Sequence, residues 1–253
     1  MGLLTDLDGT IAELVSTPQA AQVNPVCHQA LKALAKRLAL VAVVTGRSVE
    51  IARRMVNLTE LLYIGNHGLE RWEDDRLYTA PGVQRYLPRI QELAQVLRGR
   101  LPSQQVLVEE KGTSLAVHYR LAPHPEEARK RVLQALQEAR ALEWARLLEG
   151  KLVVNVLPPG EYTKGSAAAE LVGERGLQGV VFLGDDVTDL SAFQALHQLA
   201  GASNLQAACI AILRPDSPAE LVKEADYTLG SVEEVGRFLG WWAEQGAGGA
   251  RAR

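Results

Sequence analysis

An α/β fold, built on a doubly wound parallel sheet with an inserted α+β cap domain, is what this sequence of 253 residues predicts. Three observations carry the prediction. Short apolar runs without polar alternation recur along the chain, as strands buried on both faces require. Helical periodicity fills the gaps between them, in the strand–helix–strand order of a parallel sheet. A central stretch breaks this rhythm with polar–apolar alternation, which suits a sheet wetted on one face.

The elements follow in order. Gly2–Thr5 is a very short apolar run that ends at Asp6. Residues 25–37 place Val26, Ala30, Leu31 and Leu34 at helical spacing. The run 38–44, LALVAVV, ends at Thr45-Gly46-Arg47, and Ser48 then supplies an N-cap for a helix reaching Val56. A third run, 61–64, ends at Gly65-Asn66-His67-Gly68. The inserted domain is predicted over 79–158. Within it, helices at 83–97 and 125–141 flank an antiparallel pair, 105–108 and 114–119, joined around Lys111-Gly112. A further strand at 151–157 ends at the break Pro158-Pro159-Gly160. The core resumes, so that it comprises 1–78 and 159–253, with a helix at 164–172, a strand at 180–183 and a helix at 188–198. The Gly/Ala/Arg tail at 246–253 reads as frayed.

Composition narrows the function. The chain is 47% hydrophobic and 23% charged, proportions that exclude a disordered or collagen-like protein. Its 27 Lys and Arg against 30 Asp and Glu leave no basic excess, so neither nucleic acid nor a membrane surface is expected as a partner. Cys27 and Cys209 lie far apart outside any CxxC pattern, which argues for buried small hydrophobes and against a disulfide scaffold or zinc ribbon. No apolar run reaches the ~18–20 residues of a membrane span. Acids at positions 6 and 8 are incompatible with a signal peptide at this terminus. A soluble, cytoplasmic, monomeric protein is expected.

The chemistry concentrates where strands end. In open α/β sheets ligands bind at the carboxyl ends of the strands. Asp6-Leu7-Asp8-Gly9-Thr10 leaves the first strand there, so both carboxylates reach one crevice. Like charges so close call for a cation or a shared proton. Gly184-Asp185-Asp186-Val187-Thr188-Asp189 brings three more carboxylates to another strand end. Oxygen donors of this kind suit a hard divalent ion, and Mg2+ fits best where a phosphate completes its shell. Thr45-Gly46-Arg47-Ser48, at a strand end and helix start, offers a hydroxyl, N–H groups and a helix dipole to an anion. Lys164 adds a compact positive charge at another helix start. The set amounts to a nucleophile, an acid/base, a metal site and counter-charges for phosphoryl transfer.

These residues resemble the four motifs of the haloacid dehalogenase-like phosphatases, namely Asp6-x-Asp8-Gly9-Thr10, Thr45, Lys164 and Gly184-Asp185-Asp186-x-x-Asp189. The insertion before the lysine resembles a C2 cap. Thr45-Gly46-Arg47, Gly65-Asn66-His67-Gly68, Glu109-x-Lys111, His118-Tyr119-Arg120 and the last acidic motif are similar to those of the trehalose-6-phosphate phosphatase family, over residues 2–240. The resemblance implies a phosphosugar substrate, Asp6 as nucleophile through a phosphoaspartyl intermediate, and Asp8 as acid and then base. It implies that Thr45 and Lys164 hold the phosphate. It implies Mg2+ on Asp6, the Asp8 backbone carbonyl and Asp185, steadied by Asp189 or Asp186. It also implies sugar recognition by Arg47, His67, Glu109, Lys111, Arg120 and, at the position where the family carries a glutamate, Asn155. That substitution keeps a different glycosyl phosphate open as substrate, of the sucrose 6-phosphate or mannosyl-3-phosphoglycerate type; Leu190 stands in place of another family glutamate. A non-catalytic sugar-phosphate sensor on the same fold is the rival from another class, and the complete Asp6, Asp8, Thr45, Lys164 and Asp185 set argues against it.

Overall fold

A computed structural model describes residues 1–15, 20–215 and 217–245; the expectation of a frayed tail at 246–253 lies outside them. In chain order the first elements are β1 (Gly2–Thr5), α1 (Pro25–Ala35), β2 (Leu40–Val44), α2 (Val49–Val56), β3 (Leu62–Gly65), β4 (Glu70–Glu73) and β5 (Arg76–Thr79). The middle of the chain forms α3 (Leu87–Arg100), β6 (Leu107–Glu110), β7 (Leu115–His118), α4 (Pro125–Glu138), β8 (Arg146–Gly150) and β9 (Val153–Leu157). The remainder forms α5 (Lys164–Glu174), β10 (Gly179–Gly184), α6 (Val187–Ala202), β11 (Gln206–Ile212), α7 (Ala219–Glu224), β12 (Tyr227–Leu229) and α8 (Val232–Gln245). Two compact units result, Met1–Leu77 with Tyr162–Arg253, and Tyr78–Glu161.

In the first unit the sheet order is β12-β11-β10-β1-β2-β3-β4-β5. The six strands from β12 to β3 are parallel, and β4 joins them antiparallel. Alternate side chains go to opposite faces, and both faces are buried. Leu3, Val41, Val43, Val181 and Leu183 point to the side covered by α1, α2 and α8. Leu4, Ala42, Val44, Val180 and Phe182 point to the side covered by α5, α6 and α7. This double burial explains the unbroken apolar runs and makes the sheet doubly wound. The chain runs outward from β1 in one direction through β2 and β3, and from β10 in the other through β11 and β12. The switch between β1 and β10 is where such a fold leaves a crevice.

The second unit is a four-stranded antiparallel sheet, β6-β7-β9-β8. Val108, Leu115, Val117, Val154 and Val156 pack on α3 and α4. The single helix expected at 83–97 is instead a 3-10 turn, Val83–Tyr86, followed by α3. Pro88 causes the change, because it has no N–H to continue a preceding turn and is tolerated only in the first turn of a new helix. Helix α4 stops three residues short of the expected end, where Arg140 takes a left-handed conformation (φ 56°).

Strands β4, β5, β8, β11 and β12 and helix α7 were not anticipated in the sequence. Among these, β4, β5 and β8 are polar and pair antiparallel or at edges, so they lack the apolar run that marks a central parallel strand. Both cysteines are free and buried, and burial pushes each thiol up to about 12, which makes them inert as nucleophiles at neutral pH. No helix among the described residues is long and apolar enough to cross a membrane.

Candidate active site

The switch point gathers the acids. Asp6 follows β1 directly, its N–H donating to Leu183 O at 2.8 Å, which extends the pairing with β10. Asp185 follows β10, and Asp189 lies in the first turn of α6. Carboxylate oxygens of Asp6, Asp185 and Asp189 all lie within 4.8 Å of one another. They are 5%, 3% and 0% exposed, so water does not screen their repulsion. Gly9 turns the chain at φ 80°, and a Cβ there would strike the Asp185 carboxylate. Only glycine lets the Asp6–Thr10 loop come this close.

Lys164 opposes the three acids. Its Nζ lies 2.8 Å from Asp6 Oδ1 and donates to Asp189 Oδ1, also at 2.8 Å. The residue begins α5, which packs tightly on α6. A Cβ on Gly165 would run into the Ser191 carbonyl oxygen. The glycine therefore sets the helix separation that brings Lys164 to Asp189. Burial pulls the Lys164 ammonium down, but Asp189 and then Asp6 more than reverse this and hold it above the ordinary lysine value. Burial drives the Asp6 carboxyl well up; Lys164 draws it back, while Asp189 and Asp185 push it further. Burial and then Asp189 push Asp185 up to about 6, against the pull of Arg214. Buried carboxyls raised first by desolvation and then by one another's charge have the donor chemistry for a hard divalent cation.

Asp189 already uses both oxygens. Oδ1 accepts from Lys164, and Oδ2 accepts from the N–H groups of Asp185 and Asp186 at 3.0 and 3.1 Å. The Asp186 side chain instead caps α6 by accepting from Val187 N at 2.8 Å. Asp8 lies apart from the trio, in a two-pronged pair with Arg47: Arg47 Nε and a terminal N–H each reach one Asp8 oxygen at 2.6 Å. That fork fixes the plane of the carboxylate. Thr45 is buried at the end of β2, its Oγ1 accepting from Arg47 N at 3.2 Å.

His67 is buried with a left-handed backbone (φ 58°), in a tight turn after β3. Glu70 braces this turn. It is 6% exposed and accepts from Asn66 Nδ2 at 2.7 Å and from Val49 N, the first residue of α2, at 2.9 Å. A carboxylate there also favours the positive end of the helix. Glu70→Ala strands both donors, and a buried unsatisfied group costs ~1–3 kcal/mol. A loss of about 2–3 kcal/mol is expected in urea unfolding, with a smaller loss for Glu70→Gln. Equal stability of all three proteins would remove the bracing role.

In the second unit the strand register stands Glu109, Ala116, Asn155 and Leu148 opposite one another across the sheet, and thus on one face. Glu109 meets His118 Nε2 at 2.8 Å, and Lys111 Nζ donates to Asn155 Oδ1 at 3.4 Å. The sequence reads this face as wetted. Ser114, Ala116 and Asn155 on it are buried instead, and its polar groups partner one another. Arg120 is half-buried two residues past His118.

Sequence reasoning missed three residues here. Glu70 carries no motif. His118 stood only inside a motif, without a role. Arg214, after β11, donates to Asp185 Oδ2. Its signal was present, since Ala207–Leu213 is an unbroken apolar run ending, like the others, at a polar residue.

The chain is similar to known proteins. The family model for trehalose-phosphatase matches residues 4–220. A probable trehalose-phosphate phosphatase of Sinorhizobium fredii is 32% identical over 205 residues, covering 79% of this chain and 76% of that protein. The trehalose-6-phosphate phosphatase C-terminal domain of C. albicans superposes with a TM-score of 0.79 at 20% identity, over 96% of this chain and 91% of that one. A subclass IIB sugar phosphatase of the HAD superfamily gives 0.60 at 14% identity, over 95% and 98%, which shares the fold. With its motif residues assembled at one strand switch point and the match spanning most of its length, the chain belongs to the trehalose-phosphatase family.

Proposed function

We propose that this phosphoric monoester hydrolase converts trehalose 6-phosphate to trehalose and phosphate through a phosphoaspartyl intermediate, with Mg2+ as its cofactor. The observation that carries the reading is the buried Asp6, Asp185 and Asp189 trio, held by Lys164 at the switch point. Asp6 attacks phosphorus as the bond to the sugar oxygen breaks, and Asp8, entering the step protonated and released from its pair with Arg47, gives that oxygen its proton. Asp8 then takes a proton from the water that cleaves the phosphoaspartyl bond, which releases phosphate and restores Asp6. Lys164 spends two N–H groups on Asp6 and Asp189; its third serves a phosphate oxygen. Thr45 accepts from Arg47 N, so its own proton is the one given to phosphate. Asp6, Asp185 and the Asp8 backbone carbonyl would hold Mg2+, which supplies positive charge against the charge developing on the phosphoryl group. Asp189, anchored by Lys164 and by the N–H groups of Asp185 and Asp186, steadies the ion's shell from outside or just inside it, and Asp186 caps α6.

Sugar hydroxyls need fixed donors and acceptors. Glu109, Lys111, Asn155 and Arg120 of the second unit offer both kinds and are assigned that task; in the first unit Arg47 and His67 are assigned it. His118 orients Glu109. The test is phosphate release from trehalose 6-phosphate, sucrose 6-phosphate, a mannosyl-3-phosphoglycerate and an aryl phosphate, each with EDTA and with Mg2+ restored. Trehalose 6-phosphate is expected to be turned over fastest, and only with Mg2+. Turnover no faster than that of the aryl phosphate would sink the sugar assignment, and activity indifferent to EDTA would sink the metal.

A further inference from the structure

Two cations face the acidic trio, and they are held differently. Lys164 is buried and tied to two carboxylates. Arg214 pairs with Asp185 Oδ2 and donates to Gly9 O at 3.4 Å, while its side chain keeps 25% exposure. Its backbone is pinned: Arg214 N donates to Ser217 Oγ at 2.8 Å, and Ser217 N donates back to Arg214 O at 3.0 Å. The long side chain thus has a fixed root and is partly exposed to solvent, whereas Lys164 is buried.

We infer that Arg214 is an internal counter-cation that competes with the divalent ion for Asp185, so that loading the site requires its guanidinium to withdraw. The inference rests on the metal-dependent reading above. A guanidinium and a doubly charged ion repel, and both seek the same buried oxygen. The other oxygen of Asp185, Oδ1, faces the hydroxyl of Thr10 at 3.5 Å. Without the ion, Arg214 neutralises a carboxylate that would otherwise sit unpaired beside Asp6 and Asp189. With it, the energy of the Arg214–Asp185 pair is subtracted from the ion's affinity.

The experiment is calorimetric titration of the whole chain with MgCl2, alongside thermal unfolding in EDTA and in Mg2+. Arg214→Gln is expected to tighten Mg2+ binding by about fivefold or more. It should also lower the melting temperature in EDTA and enlarge the rise on adding Mg2+. Arg214→Lys keeps a charge but not the fork. It should shift affinity in the same direction by less, and it serves should the glutamine variant not fold. Unchanged or weaker Mg2+ affinity in the variants overturns the inference alone, because wild-type binding would still stand. So does unchanged Mg2+ affinity with weakened binding of inorganic phosphate, which would make Arg214 an anion ligand. A wild-type chain that takes up no Mg2+ overturns the metal reading and this inference together.

Discussion

Asp6→Asn is expected to lower turnover of trehalose 6-phosphate by at least ~10^3-fold, the scale of removing a nucleophile. The amide keeps the size of the carboxylate but cannot form the phosphoaspartyl bond. Folding should survive, because the substitution removes one of three buried acids that repel one another. Phosphosugar binding should survive as well, since Lys164 and Thr45 remain. Steady-state phosphate release and calorimetric titration with trehalose 6-phosphate separate the two effects. A variant that keeps more than a few per cent of activity would leave Asp6 without its assigned role, whatever the state of the metal.

The second large effect belongs to Lys164. Lys164→Met keeps the length of the stem and removes the only charge in contact with both Asp6 and Asp189 among the described residues. Breaking a buried pair by deleting one partner costs ~3–5 kcal/mol, because the remaining charge is uncompensated. For a chain of this length that is a fall in melting temperature of about 10 °C or more. The sign with pH follows from the raised folded value of the lysine. Its contribution is present throughout the neutral range and is lost only as pH rises toward that value. The fall should nevertheless be smaller at pH 6 than at pH 8, because Asp6, no longer drawn down by the lysine, takes up a proton more readily at the lower pH. Adding Asp189→Asn should recover part of it, since the stranded acid is then neutral. Full stability of Lys164→Met in EDTA would show that the trio needs no lysine to stay buried.

Much of this was legible in the linear chain, for a physical reason. A strand buried on both faces must be apolar at every position, so β1, β2, β3 and β10 announce themselves, and the polar residues at their ends stand out. Asp6, Thr45 and Asp185 were found that way, and Lys164 by its place at a helix start. The inserted stretch was expected from the change of period from unbroken runs to alternation. Strands β4, β5 and β8 escaped because a strand that is half exposed or at an edge is free to be polar, and its sequence then looks like loop.

What the sequence by itself determined is the order of elements and the residue types brought to the strand ends, since burial dictates the first and chemistry the second. Which charge meets which was decided only by the tertiary structure. Asp8 is paired with Arg47 rather than placed among the carboxylates, Asp189 is anchored by Lys164 and two backbone N–H groups, and Arg214 faces Asp185 from 29 positions away. Such pairings depend on distances of a few ångströms between segments remote in sequence. Those distances are set by sheet order and by how closely α5 and α6 pack, and no local pattern records them.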